Sequence, residues 1–372
     1  MSHLPYFDYM ATTPIDPIAL DKMLEALQDP RLQSATTSDH TYGQLTAQTE
    51  AACRSLIAEC LDADPAGIIF TSCATESIHT VLRGAYQSYA HAANTHISWA
   101  HEHSATHGGL GQVSKMGGKI NVLPVRNDGH IDLKDLESHL SDQVMMVTVS
   151  YVNSELGTIA PVKELTELCQ ARGILVHIDA TQAVGKIPVS FHDIGCDYMS
   201  FSGHKIYGPR GIGAIIRKTN RHLTPLLPMP HGPSMRAGTQ SIALIIAFAE
   251  ACRIATESFS ERLAHVKLCQ NTLMTLLPSS TIHHGDLVNR VPHNLNFDSQ
   301  LSWGELEKLK ERFIFSQASA CTDISTMSSH VLKAIGLDTT VAQRSIRLSL
   351  SHLTTLSDCH DFAAALSDLK VC

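Results

Sequence analysis

Short, almost unbroken apolar runs alternate along this chain with longer segments whose apolar residues recur at helical spacing. The runs fall at Gly67–Thr71, Thr95–Trp99, Lys119–Val125, Val144–Ser150, Ile174–Asp179, Asp197–Phe201 and Gly213–Arg217. Runs of this length between turn residues read as buried strands. The segment Pro161 to Arg172 illustrates what lies between them. Pro161 suits a first helical turn, Val162, Leu165 and Leu168 share a face, and Gly173 suits the stop. Strand, loop and helix in alternation predict an α/β fold with a mostly parallel seven-stranded sheet covered by helices.

Past about Ala255 the texture changes. A long helical pattern runs to Leu277, followed by a His-rich turn, a strand-like Asn294–Phe297, another helix and the strand Ser345–Leu350. This reads as a smaller α+β domain. At 372 residues the chain exceeds the size at which one core stops growing. The expected division is a large domain over 15–255 and a small one built from 1–14 with 256–372. No repeat of twenty to fifty residues is present, which sets solenoids aside. Open α/β sheets bind ligands at the carboxyl ends of their strands, so the polar residues just after those strands are where chemistry is sought.

One such position holds Lys205, in the Ser/Gly/His loop Ser202-Gly203-His204-Lys205. A lysine with a favoured neutral amine can form a Schiff base, and pyridoxal 5'-phosphate enzymes anchor their cofactor this way. Taken alone, a solvated surface lysine is the commoner explanation by several-fold, since most lysines are surface groups. Asp179 ends the run Ile174–Asp179, where a carboxylate can face a protonated ring nitrogen or cap a helix. Ser72-Cys73-Ala74-Thr75-Glu76 joins a strand to a helix, and backbone N–H groups there with the Thr75 hydroxyl can hold a phosphate, or form a plain cap. His103 follows the strand ending at Trp99 and can stack on a planar cofactor or serve as an ordinary loop residue.

Asp8-Tyr9-Met10-Ala11-Thr12-Thr13-Pro14, Thr71–Ser77, Asp179-Ala180-Thr181-Gln182 and Ser202–Lys205 occur in the order and spacing of the class V aminotransferase-like cysteine desulfurases. The chain resembles that family, of NifS and IscS type, from residue 6 to about residue 355. The resemblance implies a fold-type I enzyme with pyridoxal 5'-phosphate as cofactor. It makes Lys205 the Schiff-base lysine, Asp179 the partner of the ring nitrogen and His103 the stacking ring that helps move protons. Gln182 contacts the phenolic oxygen, with Ser154 at a second such position. Ala74, Thr75, Ser202 and His204 bind the phosphate, and Thr239 reaches across from the other subunit of a homodimer.

Ser316–Thr322 resembles the family's catalytic loop, making Cys321 the acceptor of sulfur from L-cysteine. Arg347 lies on the strictly alternating strand Ser345–Leu350, opposite Ile346, Leu348 and Leu350, and can grip a substrate carboxylate bidentately, with Asn153 nearby. The implied activity leaves L-alanine and a persulfide on Cys321 for an acceptor protein in iron–sulfur assembly, tRNA thiolation or DNA sulfur modification. Another lyase or transaminase of the same fold, selenocysteine lyase included, and a degenerate sulfur-transfer partner are the alternatives. Three departures stand out. The family's Asn-Asn-Glu reads Asn153-Ser154-Glu155, the glycine-rich stretch before Thr239 is shortened to His231–Gly238, and His79 replaces a common asparagine.

Composition narrows the partners. The formal net charge of -8 gives no reason to expect nucleic-acid binding. No apolar run approaches membrane-spanning length and the start lacks a secretory pattern, so a cytoplasmic protein without membrane contact is expected. Ten cysteines without CxxC pairs or Cys/His ligand spacing predict no structural metal. Most of them read as reduced, buried apolar residues.

Overall fold

A computed structural model describes residues 4–36, 38–228, 235–317 and 329–371. Seven strands form the main sheet: β1 (Ile68–Thr71), β2 (Thr95–Trp99), β3 (Lys119–Leu123), β4 (Val144–Ser150), β5 (Leu175–Asp179), β6 (Tyr198–Ser202) and β7 (Gly213–Arg217). Their order is β1-β7-β6-β5-β4-β2-β3, with β7 antiparallel to both neighbours and the other pairs parallel. Helices cover both faces, and the central strands β4, β5 and β6 are accordingly buried along nearly their whole length rather than alternating.

The seven predicted runs are the seven strands, with shifts at their ends. β3 stops at Leu123 because Pro124 has no N–H to continue the ladder. The illustrative helix spans Val162–Gln170, with Pro161 at its cap rather than in its first turn and Gly173 at φ +70 beyond its end. Residues Ile242–Glu257 and Phe259–Leu276 form two helices meeting at Ser258.

A second, antiparallel sheet has the order β10-β9-β8, with β8 (Ile282–His283), β9 (Asn294–Asp298) and β10 (Ser345–Ser349). The segment expected as a His-rich turn therefore contributes an edge strand, because Ile282 and His283 find their partners in Asp298 and Phe297. Ile346 and Leu348 enter a separate core with Phe7, Phe297 and Phe362. The amino-terminal segment runs alongside this sheet through bridges Tyr6 to Ile314 and Asp8 to Ser349. Ser150, Asp179 and Ser202 thus stand together at the carboxyl ends of three adjacent strands, opposite Arg347 on β10.

Candidate active site

Those strand ends open onto a cavity of about 270 Å³. Lys205, Asp179, His103 and Arg347 line it, as do Gln182, Ser202 and His204. Ala74, Thr75, Asn153 and Ser154 complete the predicted set within it. Cys321 lies outside the described residues. Thr239 is exposed and lines a different cavity of about 520 Å³ with Arg54, Arg217 and Arg236.

The amino-terminal segment supplies much of the framework. Lys205 Nζ donates to the carbonyls of Met10 at 2.7 Å and Ala11 at 2.6 Å. Gln182 Nε2 donates to the same Met10 carbonyl. The Thr13 N–H and hydroxyl both donate to the His204 carbonyl, each at 3.0 Å. Two residues beyond Lys205, Tyr207 sits at φ +66, a conformation uncommon for a non-glycine residue, where its N–H meets the Thr13 hydroxyl. Behind the site, the nearly buried Lys186 ammonium donates to the Lys205 carbonyl, and burial with Lys205 nearby lowers its pKa to about 7.

His103 caps the helix Ser104–Lys115 by accepting the Ala105 N–H on Nδ1 at 3.1 Å. That bond requires an unprotonated Nδ1, so the neutral ring carries its proton on Nε2. Burial lowers the His103 pKa, opposed by Asp179 and reinforced by Lys205. The preceding residue, Glu102, is wholly buried and accepts the N–H and hydroxyl of Ser150, whose backbone pairs with Asp179. Burial drives the Glu102 carboxyl up to about 8.

The folded protein consequently keeps a proton that the unfolded chain releases near 4.5. Stability falls as pH rises between those two values, because the native state binds more protons there. Glu102→Gln cannot titrate and is expected to remove this loss. Relative to the parent, its unfolding free energy from urea denaturation should gain on the order of a few kcal/mol between about pH 5 and about pH 8. Parallel pH profiles for the two proteins would assign the proton elsewhere.

The cavity offers a protonatable aromatic phosphate what it needs. The helix Ala74–Tyr89 starts at Cys73 with no side-chain cap, leaving its first N–H groups for an anion. A Cβ at Gly213 would meet the Phe201 carbonyl at 2.8 Å and the Cys73 main chain at 2.9 Å, so glycine is what lets β7 pack under that loop. Among the described residues, Ser202 Oγ and Gln182 Oε1 are buried without a hydrogen-bond partner. Unpaired buried polar atoms are costly, and a bound polar group would satisfy them. Asp179 is nearly buried, with one carboxylate oxygen accepting the Thr181 N–H at 3.0 Å. The Asn153 amide is largely spent on backbone, donating to His101 and accepting from Glu155 and Leu156, so one of its N–H groups remains for a ligand.

A lysine and a carboxylate just after neighbouring strands, sharing one cavity with a histidine ring and an uncapped helix N-terminus, define a pyridoxal-phosphate enzyme of fold type I. The model of the family Aminotransferase class-V matches residues 5–359, and the chain belongs to that family. It is 36% identical to the cysteine desulfurase IscS of Enterobacter sp. (strain 638) over 358 residues, 94% of this chain and 88% of that protein. Its likeness to the IscS of Klebsiella pneumoniae subsp. pneumoniae has the same extent. Among solved structures, a NifS-like protein superposes with a TM-score of 0.90 at 29% identity, covering 99% of this chain and all of that one. SspA in complex with cysteine superposes with a TM-score of 0.82 at 28% identity over 94% of this chain and all of that one.

Proposed function

We propose that this chain is a cysteine desulfurase that converts L-cysteine to L-alanine and carries the released sulfur as a persulfide on Cys321. The observation that carries this reading is the convergence of Lys205, Asp179, His103 and Arg347 on one cavity. The family and the IscS relatives support the same activity.

When bound, pyridoxal 5'-phosphate supplies an electron sink that makes the α-proton of an amino acid removable. Asp179 would keep the ring nitrogen protonated, and His103 would cover the ring face. Thr75, Ser202, His204 and the amide groups from Ala74 would hold the phosphate, with Gln182 and Ser154 toward the phenolic oxygen. Arg347 would hold the substrate carboxylate, with Asn153 beside it, and the Lys205 amine would move the proton at the α-carbon. The Cys321 thiolate would take the substrate sulfur.

In this reading the chain divides into a large domain, 15–255, and a small one, 1–14 with 256–372. A hydrophobic cluster that includes Phe7, Phe297, Ile346 and Phe362 is drawn wholly from the proposed small domain and supports that division. Thr239 would complete the partner's cofactor site in a homodimer, which its place in a cavity other than the chain's own site supports. Among the described residues no helix is long and apolar enough to cross a membrane, in keeping with a cytoplasmic enzyme that passes sulfur to an acceptor protein.

Product analysis tests the activity. Cofactor-loaded protein supplied with L-cysteine and a thiol reductant is expected to release alanine and sulfide in equal amounts. Pyruvate or a keto acid as the main product would replace this reading with another lyase or transaminase. Failure to take up the cofactor would favour a non-catalytic sulfur-transfer partner.

A further inference from the structure

Arg347 is nearly buried, yet it lines the cavity, so its guanidinium must be held at a fixed angle to be of use to a ligand. An arginine side chain rotates about several bonds, and a bidentate grip on a carboxylate tolerates little misalignment. The structure accounts for three of its five N–H groups. Nη2 donates to Asp8 Oδ1 and to Ser316 Oγ, both at 2.8 Å, and Nη1 donates to the Ser154 carbonyl at 3.0 Å. Ser316 Oγ in turn donates to the same Asp8 oxygen at 2.8 Å, closing a triangle. Nε is buried and has no partner among the described residues.

Asp8 is the only carboxylate in ion-pair contact with Arg347 among the described residues. It does not line the cavity. It therefore supports the guanidinium from outside the ligand space, while Nε and the second Nη1 proton stay unclaimed. The bridge from Asp8 to Ser349 and the backbone pairing of Ser316 with Arg347 fix both supports to the same strand that carries the arginine.

We propose that Asp8 is the positioning residue for substrate-carboxylate recognition, holding the Arg347 guanidinium together with Ser316 so that its open N–H groups face the bound amino acid. This rests on the reading of Arg347 as the carboxylate-holding group. Asp8 touches no substrate. Its effect is confined to ligands that carry a carboxylate.

The test compares L-cysteine with cysteamine, which has the same amine and thiol but no carboxylate, on the cofactor-loaded enzyme. Binding is followed by the change in cofactor absorbance, and turnover by alanine release. Asp8→Ala is expected to weaken L-cysteine binding and raise its KM by about tenfold. Cofactor content and cysteamine binding should stay within about twofold of the parent. Asp8→Asn keeps an acceptor oxygen at the same place and should recover most of the loss. An unchanged L-cysteine KM in Asp8→Ala, an equal weakening for cysteamine, or no recovery in Asp8→Asn would each overturn the proposal. Arg347→Gln, measured alongside, separates the two layers. If it leaves the preference for L-cysteine over cysteamine intact, the reading of Arg347 fails and the role of Asp8 falls with it. If it erases that preference while Asp8→Ala does not reduce it, the role of Asp8 alone fails.

Discussion

Lys205→Ala is expected to lower alanine formation from L-cysteine by about 10³-fold or more, the range lost when a positioned acid–base group is removed. The amine stands at the end of β6 with its hydrogens directed at the Met10 and Ala11 carbonyls, in a cavity that also holds Asp179 and His103. In the proposed mechanism, alanine at this position would remove both the cofactor's covalent anchor and the base at the α-carbon. The remaining hydroxyls, amide groups and His103 would still bind the cofactor noncovalently, so added cofactor is expected to restore absorbance but not turnover. Lys205→Arg preserves the charge without a nucleophilic amine and should be equally inactive. Wild-type rates of alanine release from either variant would remove Lys205 from the mechanism.

Cys321→Ala is expected to have an effect of similar size on sulfur transfer, at least about 10³-fold, while leaving cofactor absorbance and L-cysteine binding in place. The other cysteines explain why one position should carry so much. Burial raises the thiol pKa of Cys53 to about 11 and of Cys169 to about 12, and drives Cys252 well above its usual value. None of these supplies a thiolate at neutral pH. Cys269 is lowered to about 7 beside Cys359 and His265, but it is fully buried in the small core, away from the cavity. Cys73 is the real competitor, because it lines the cavity. Cys73→Ala therefore belongs in the same experiment and is expected to keep sulfur transfer. Loss of persulfide in Cys73→Ala with retention in Cys321→Ala would reverse the assignment.

The parts of the site legible in the sequence are those whose signal is local. A lysine in a short Ser/Gly/His loop, an aspartate at the end of an apolar run and a histidine just after another strand each declare themselves by position along an element. The open-sheet rule then says which end of each strand to inspect. What went unread is the set of partners that only folding brings near. Asp8 and Arg347 are separated by 339 positions yet share a hydrogen bond, and Met10 lies 195 positions from Lys205. Glu102 stood next to His103 in plain view, but an acidic residue in a loop reads as solvated until Ser150 and complete burial are known. The edge strand Ile282–His283 was missed for the same reason, since two residues carry no periodicity and acquire their conformation from Asp298 and Phe297.

In one dimension the chain already carries the alternation of strands and helices, the mostly parallel sheet, the positions of Lys205, Asp179 and His103 near strand ends, and the family. Side-chain periodicity and short-range turn chemistry are written within a dozen residues of each other, so they survive in one dimension. Folding alone settled that the amino-terminal segment builds the framework of the site, and that Asn153 spends most of its amide on backbone. It also decided that Arg347 is held from behind by Asp8 and Ser316. Hydrogen bonds and charge burial depend on which surfaces meet, and that follows from how distant elements pack around one cavity rather than from any local stretch of chain.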